Sequence, residues 1–246
     1  MPTSTLRIPT PDGQADAFPD RGERHPAVLL YPDAFGLRPE LEARARELAA
    51  HGYYVLVPNL YYRHGPAPVI DLPAYIGEEI RPALIDRFLP LVQEHSAERI
   101  LRDADAYLGF LADQPEVGAG PVGVIGYCIG AALAMRTAAA RPDRVAALAG
   151  FHPGFLVTGA PDSPHRLLSA LTAEVHLGLS EGDMSPTSID ELHQALDAAG
   201  VRHSTEVYPG TLHGYTMSDT EAFSPSGLEL HWDRLLALLD RTLATG

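Results

Sequence analysis

The chain has 246 residues, 46% hydrophobic and 20% charged, a balance that excludes a disordered chain and fits one α/β domain, residues 1–246, with a large core. A formal net charge of −14 argues against nucleic acid and anionic membranes as partners, because both repel an acidic surface, and leaves a small molecule as the expected one. No apolar run approaches the roughly 20 residues needed to cross a bilayer, and a single cysteine excludes an intramolecular disulfide, so a cytoplasmic location without a secretory signal is expected.

In chain order, LRIPTPDGQADAF reads as an antiparallel hairpin turning at Pro11, Asp12 and Gly13, placed at the edge of the sheet. HPAVLLY, residues 25–31, is a short apolar run suited to a strand buried on both faces. After the turn PDAFGLRP, a helix begins at Pro39, with Leu41, Ala45, Leu48 and Ala49 at helical spacing and Gly52 just past its end. YYVLVP is the next buried strand, completing a strand, helix, strand unit of a parallel sheet. Residues 64–95 interrupt the alternation with prolines at 66, 68 and 73 and a helical stretch over 83–93, an insertion of the kind that lines or covers a site. The following run is a helix capped by Ser96, with Leu101, Ala104, Leu108 and Leu111 on one face.

The remaining pattern predicts strands over 122–126, 145–151, 175–179 and 203–208, and helices over 129–140, 187–199 and 228–243. The fold class is therefore α/β, a doubly wound and mostly parallel sheet with helices on both faces and an N-terminal antiparallel hairpin. Sites are expected on loops leaving the carboxyl ends of its strands. Monomeric and oligomeric states both stay open.

PVGVIGYCIGAA then reads as strand, sharp turn, helix, with Cys128 at the turn and Gly126 and Gly130 two residues to either side. A nucleophile elbow has this form, because small residues at those positions let strand and helix approach. The helix N-terminus favours a thiolate, and the Ile129 N–H faces a developing oxyanion. The other reading is a buried packing cysteine. In this kind of fold an acid and then a histidine follow the nucleophile. SEGDMSP supplies Asp183 and GTLHGY supplies His213, both just beyond a strand, while Glu181 is the rival acid. His152 in AGFHPG also ends a strand, where it is expected to touch substrate. No H-E-x-x-H or comparable cluster occurs, so neither a metal nor a cofactor is expected.

YPDAFGL, HGYYVLVPNLYYR, GYCIGAALA, SEGDMSP and GTLHGY stand in an order that resembles the dienelactone hydrolase family of the α/β-hydrolase fold. The resemblance implies a triad of Cys128, Asp183 and His213, an oxyanion hole completed by the Ala34 N–H, and an acid near the resting cysteine at Asp33, where family members carry glutamate. It also implies that an arginine holding a substrate carboxylate is replaced here by Met217, which cannot make that charge-assisted contact. Arg63, Arg81 and Arg87 near the insertion are the alternative cations.

The expected chemistry is hydrolysis of a small activated ester, enol lactone or thioester through an acyl-enzyme on Cys128, in a pocket that Phe35, Tyr127 and His152 help to form. Amides are expected to be poor substrates, since a thiolate is itself a good leaving group. Two other readings stay open. One is an isomerase or cyclase using His213 as general base; the other is a small-molecule-binding protein without catalysis.

Overall fold

The fold is carried by the parallel strands β3 (Ala27–Tyr31), β4 (Tyr54–Leu56), β5 (Val122–Tyr127), β6 (Val145–Phe151), β7 (Glu174–Leu179) and β8 (His203–Val207). They form one six-stranded sheet in the order β4-β3-β5-β6-β7-β8. The computed structural model describes residues 6–17 and 24–243.

The N-terminal hairpin forms as β1 (Leu6–Thr10) and β2 (Gly13–Ala17), paired antiparallel. It is a separate two-stranded sheet rather than an edge of the main one. Ion pairs fix its turn elsewhere, with Asp12 binding Arg63 at 2.8 Å and Arg102 at 2.5 Å.

Strand alternation sends side chains to two separate cores, as a sheet covered on both faces requires. Leu29, Tyr31, Val124, Val175 and Leu177 face one side with residues of α3 (Ala97–Ala112), α4 (Ile129–Ala140) and α5 (Pro186–Ala199). Leu30, Ile125, Ala149 and Phe151 face the other, against Leu41 and Leu48 of α1 (Pro39–Ala50) and Leu235 and Leu239 of α6 (Pro225–Leu243). The expected cap of α3 is present, the Ser96 hydroxyl accepting the Arg99 N–H at 3.3 Å.

Within the insertion the helix is α2 (Arg81–Gln93), with a proline in its first turn and Pro90 inside it. The chain before α2 is pinned to the loop after β8. Ile76 donates its N–H to Asp219 O at 2.8 Å and accepts the Glu221 N–H at 3.1 Å. The insertion therefore meets the loop that carries His213. Among the described residues, no helix is long and apolar enough to cross a membrane.

Candidate active site

Cys128 sits between β5 and α4 with φ 53° and ψ −119°, a left-handed conformation that non-glycine residues seldom adopt. The flanking glycines make it sterically possible. A Cβ on Gly126 would stand 2.1 Å from the Gly130 carbonyl oxygen, and one on Gly130 would stand 2.5 Å from the oxygen of Tyr31. Helix and strands therefore touch backbone to backbone. The Cys128 N–H is spent on Phe151 O at 3.1 Å, and its carbonyl accepts the Gly154 N–H at 3.0 Å, so the elbow is held from both sides.

The two partners named from sequence meet the sulfur. His213 Nε2 lies 3.1 Å from Cys128 Sγ, and His213 Nδ1 lies 2.7 Å from Asp183 Oδ1. The other carboxylate oxygen of Asp183 accepts the Ser180 N–H at 2.6 Å. The Asp183 side chain is 1% exposed and that of His213 35%, so the carboxylate is sealed in while the imidazole keeps an open edge. Burial disfavours the imidazolium, but the charges and hydrogen bonds of Cys128 and Asp183 outweigh it and raise His213 to about 10. Glu181, the rival acid, is instead turned to the Gly210 N–H at 2.8 Å.

Ala34 and Ile129 lie on adjacent chain exits, because Tyr31 of β3 pairs with Gly126 of β5. Ile129 opens α4, so its N–H has no acceptor within the helix. The Ala34 N–H makes no hydrogen bond among the described residues, whereas the neighbouring Phe35 N–H is taken by Asp33 Oδ1 at 3.0 Å. Tyr61, which the sequence did not single out, donates its hydroxyl to Ala34 O at 2.6 Å. Burial and the charges of Asp33 and Cys128 raise its pKa and keep that hydroxyl protonated.

Several expected site residues do other work. Asp33 does not bond Cys128. Its carboxylate is gripped by Arg38 Nη1 at 2.7 Å and Nη2 at 2.9 Å, and Arg38 Nε also binds Asp219 at 2.5 Å. The pair ties the turn before α1 to the loop after His213, an assignment different from the cysteine-supporting one. Tyr127 is fully buried, its hydroxyl 2.9 Å from His231 Nε2. It belongs to the core on the α1 and α6 side because strand alternation turns it there. Met217 is 1% exposed in that same core, packed rather than open to a ligand. Phe35 packs edge-on against Phe88 of α2, with ring centroids 5.6 Å apart.

His152 is also buried rather than presented to a ligand. Its ring meets His213 edge-on at 5.2 Å, and its Nε2 lies 2.8 Å from the Thr216 hydroxyl. Burial, reinforced by the charges of His213 and His231, holds it far below 6.5, so a neutral ring backs His213. Among the three candidate arginines, Arg81 Nη2 donates to the His213 carbonyl at 2.7 Å. Arg63 is spent on Asp12 and Asp103, and Arg87 lies exposed on α2.

Comparison with known proteins agrees with this architecture. The model of the dienelactone hydrolase family matches residues 15–243. A carboxymethylenebutenolidase of Rhodococcus opacus is 27% identical over 228 residues, 89% of this chain and 82% of its own. A Pseudomonas carboxymethylenebutenolidase is 36% identical over 122 residues, 50% of this chain and 48% of its own. A Klebsiella pneumoniae protein provisionally named a dienelactone hydrolase superposes with a TM-score of 0.82 at 20% identity, covering 98% of each chain; at that identity the likeness is one of fold.

Proposed function

Because the chain belongs to the dienelactone hydrolase family and is a lactone or ester hydrolase, we propose that Cys128 is its nucleophile, with His213 and Asp183 as acid–base and orienting partners. The observation carrying this reading is the continuous line from Cys128 Sγ to His213 Nε2 at 3.1 Å and from His213 Nδ1 to Asp183 at 2.7 Å. A nucleophile, a base and an orienting acid in mutual contact form the minimum machinery of covalent acyl transfer.

In the proposed reaction the sulfur attacks the carbonyl carbon, and the carbonyl oxygen takes up the electron pair as an oxyanion. The N–H groups of Ala34 and Ile129 hold that oxygen, as preorganised donors that need no rearrangement when charge develops. Collapse expels the alcohol, enol or thiol, which takes the proton of His213 and leaves a thioester on Cys128. His213, now neutral, deprotonates a water that attacks the thioester. The second tetrahedral intermediate expels the thiolate, restoring the starting pair.

Good leaving groups are required, since the intermediate otherwise returns to thiolate and substrate. Enol lactones, activated esters and thioesters fit; amides do not. Arg81, beside the His213 backbone, supplies a cation for a substrate carboxylate in place of Met217, which is packed in the core. Hydrolysis of a panel of small activated esters, enol lactones and thioesters by Cys128→Ala tests the proposal. A loss of about 10³-fold or more is expected, and wild-type rates would refute it.

A further inference from the structure

Among the described residues, two further non-glycine residues share positive φ with Cys128, and both lie in the short loop that leaves β6: His152 at 36° and Phe155 at 62°. Such a conformation is strained for a residue that carries a Cβ and persists where surrounding contacts enforce it. Gly154, between them, donates its N–H to the Cys128 carbonyl at 3.0 Å, so the loop is tethered to the elbow itself. The strain at Phe155 is not offset by burying its ring, which is 59% exposed.

Phe155 borders a cleft of about 170 Å³ that Ile129, Ala132 and Leu133 of α4 and Ile100 of α3 also line. His95 lines it too. That ring stacks on Tyr61 with centroids 5.7 Å apart, and its Nε2 is buried without a partner, a loss that a native structure ordinarily repairs with a ligand or water atom. Burial lowers His95 to about 4, and Arg136 at the cleft is paired with Asp162 at 3.2 Å, so the lining offers no uncompensated charge. An apolar cavity of about 150 Å³ accommodates a benzene ring.

We infer that this cleft binds the acyl side of the substrate as a neutral aromatic ring, lying against Phe155 and giving a ring hydroxyl to His95. The inference rests on the hydrolase reading above. It assigns the acyl side for a geometric reason: the leaving group must reach His213 to take its proton, and neither His213 nor Asp183 lines the cleft, whereas Ile129, which follows Cys128 directly and is the proposed oxyanion donor, does.

The test uses S-ethyl thioesters of acetic, phenylacetic and the isomeric hydroxyphenylacetic acids, with kcat/KM read from thiol release. In wild type the best hydroxyphenylacetyl thioester is expected to exceed the acetyl one by about tenfold or more. Ala132→Phe, which fills the cleft, should collapse that ratio. His95→Phe, which keeps the ring but removes both nitrogens, should collapse the hydroxyphenylacetyl over phenylacetyl ratio by about tenfold or more. If either ratio keeps its wild-type value in a folded variant, the cleft is not the acyl site. Cys128→Ala is run beside them: thioester hydrolysis surviving in it overturns the nucleophile assignment, while its loss together with unchanged ratios overturns only the cleft.

Discussion

Gly126 and Gly130 meet backbone to backbone: a Cβ on Gly126 would stand 2.1 Å from the Gly130 carbonyl oxygen. The contact is what lets the residue between them hold φ 53° at the carboxyl end of the sheet. Gly126→Ala is therefore expected to cost more than about 3 kcal/mol, because backbone rather than a flexible side chain must move. Gly109 in α3 meets nothing within 4 Å, and Gly109→Ala is expected to add about 0.5–1 kcal/mol through helix propensity. Urea unfolding of the two variants beside wild type reads both signs.

His213 owes its raised pKa of about 10 to Cys128 and Asp183 acting against burial. Removing the sulfur with Cys128→Ala deletes one of those supports, so the imidazole is expected to titrate closer to the ordinary 6.5. The sign carries into stability. A group raised in the folded state contributes in full below pH 6.5 and loses that contribution as pH climbs towards 10. Nitrogen-15 NMR titration of the His213 ring in both proteins checks the shift, and equal midpoints would contradict the coupling.

Asp33 and Arg38 are buried and joined at 2.7 and 2.9 Å. If their work is to fasten the turn, Asp33→Asn and Arg38→Gln should each lower stability, and the double variant should cost clearly less than their sum, with a coupling of about 1–3 kcal/mol. A double-mutant cycle by denaturant unfolding measures this. Strict additivity would leave the turn without that fastening.

Tyr61 holds the carbonyl of Ala34. Tyr61→Phe keeps the ring and removes the hydroxyl, so the backbone of Ala34 loses one constraint, on the peptide that follows its N–H, worth about 1 kcal/mol. The expected signature is a fall in kcat of about fivefold to tenfold with KM little changed, since the Ala34 N–H is proposed to act on the transition state. A rise in KM alone would argue for direct substrate contact instead.

The alternation of buried strands and amphipathic helices was legible in the sequence because both periods are local. The elbow was legible because close packing leaves a glycine signature around one residue. Asp183 and His213 followed from chain order, and the structure brings them to the sulfur. What stayed hidden depended on distant partners. Asp33 is claimed by Arg38, and the loop residue Asp219 shares that arginine, a bond no local spacing announces. Tyr127 stands next to Cys128 in sequence, and the family resemblance puts Met217 where an arginine would meet substrate, but both turn into the core on the α1 and α6 side. Tyr61 stands among other aromatics in NLYYR, and nothing in that run marks which ring holds the Ala34 carbonyl. The hairpin was found, but its separation from the main sheet was not, because its partners are distant in sequence: Ile8 is buried in the main core and Asp12 pairs with Arg63 and Arg102.

Covalent acylation of Cys128 is the central claim, and intact-mass spectrometry after rapid quenching from a panel of activated esters and enol lactones tests it most directly. The account predicts one added acyl mass on wild type, mapped to the peptide containing residue 128, and none on Cys128→Ala. Turnover by wild type with no acyl adduct at any quench time, together with undiminished hydrolysis by Cys128→Ala, would contradict it.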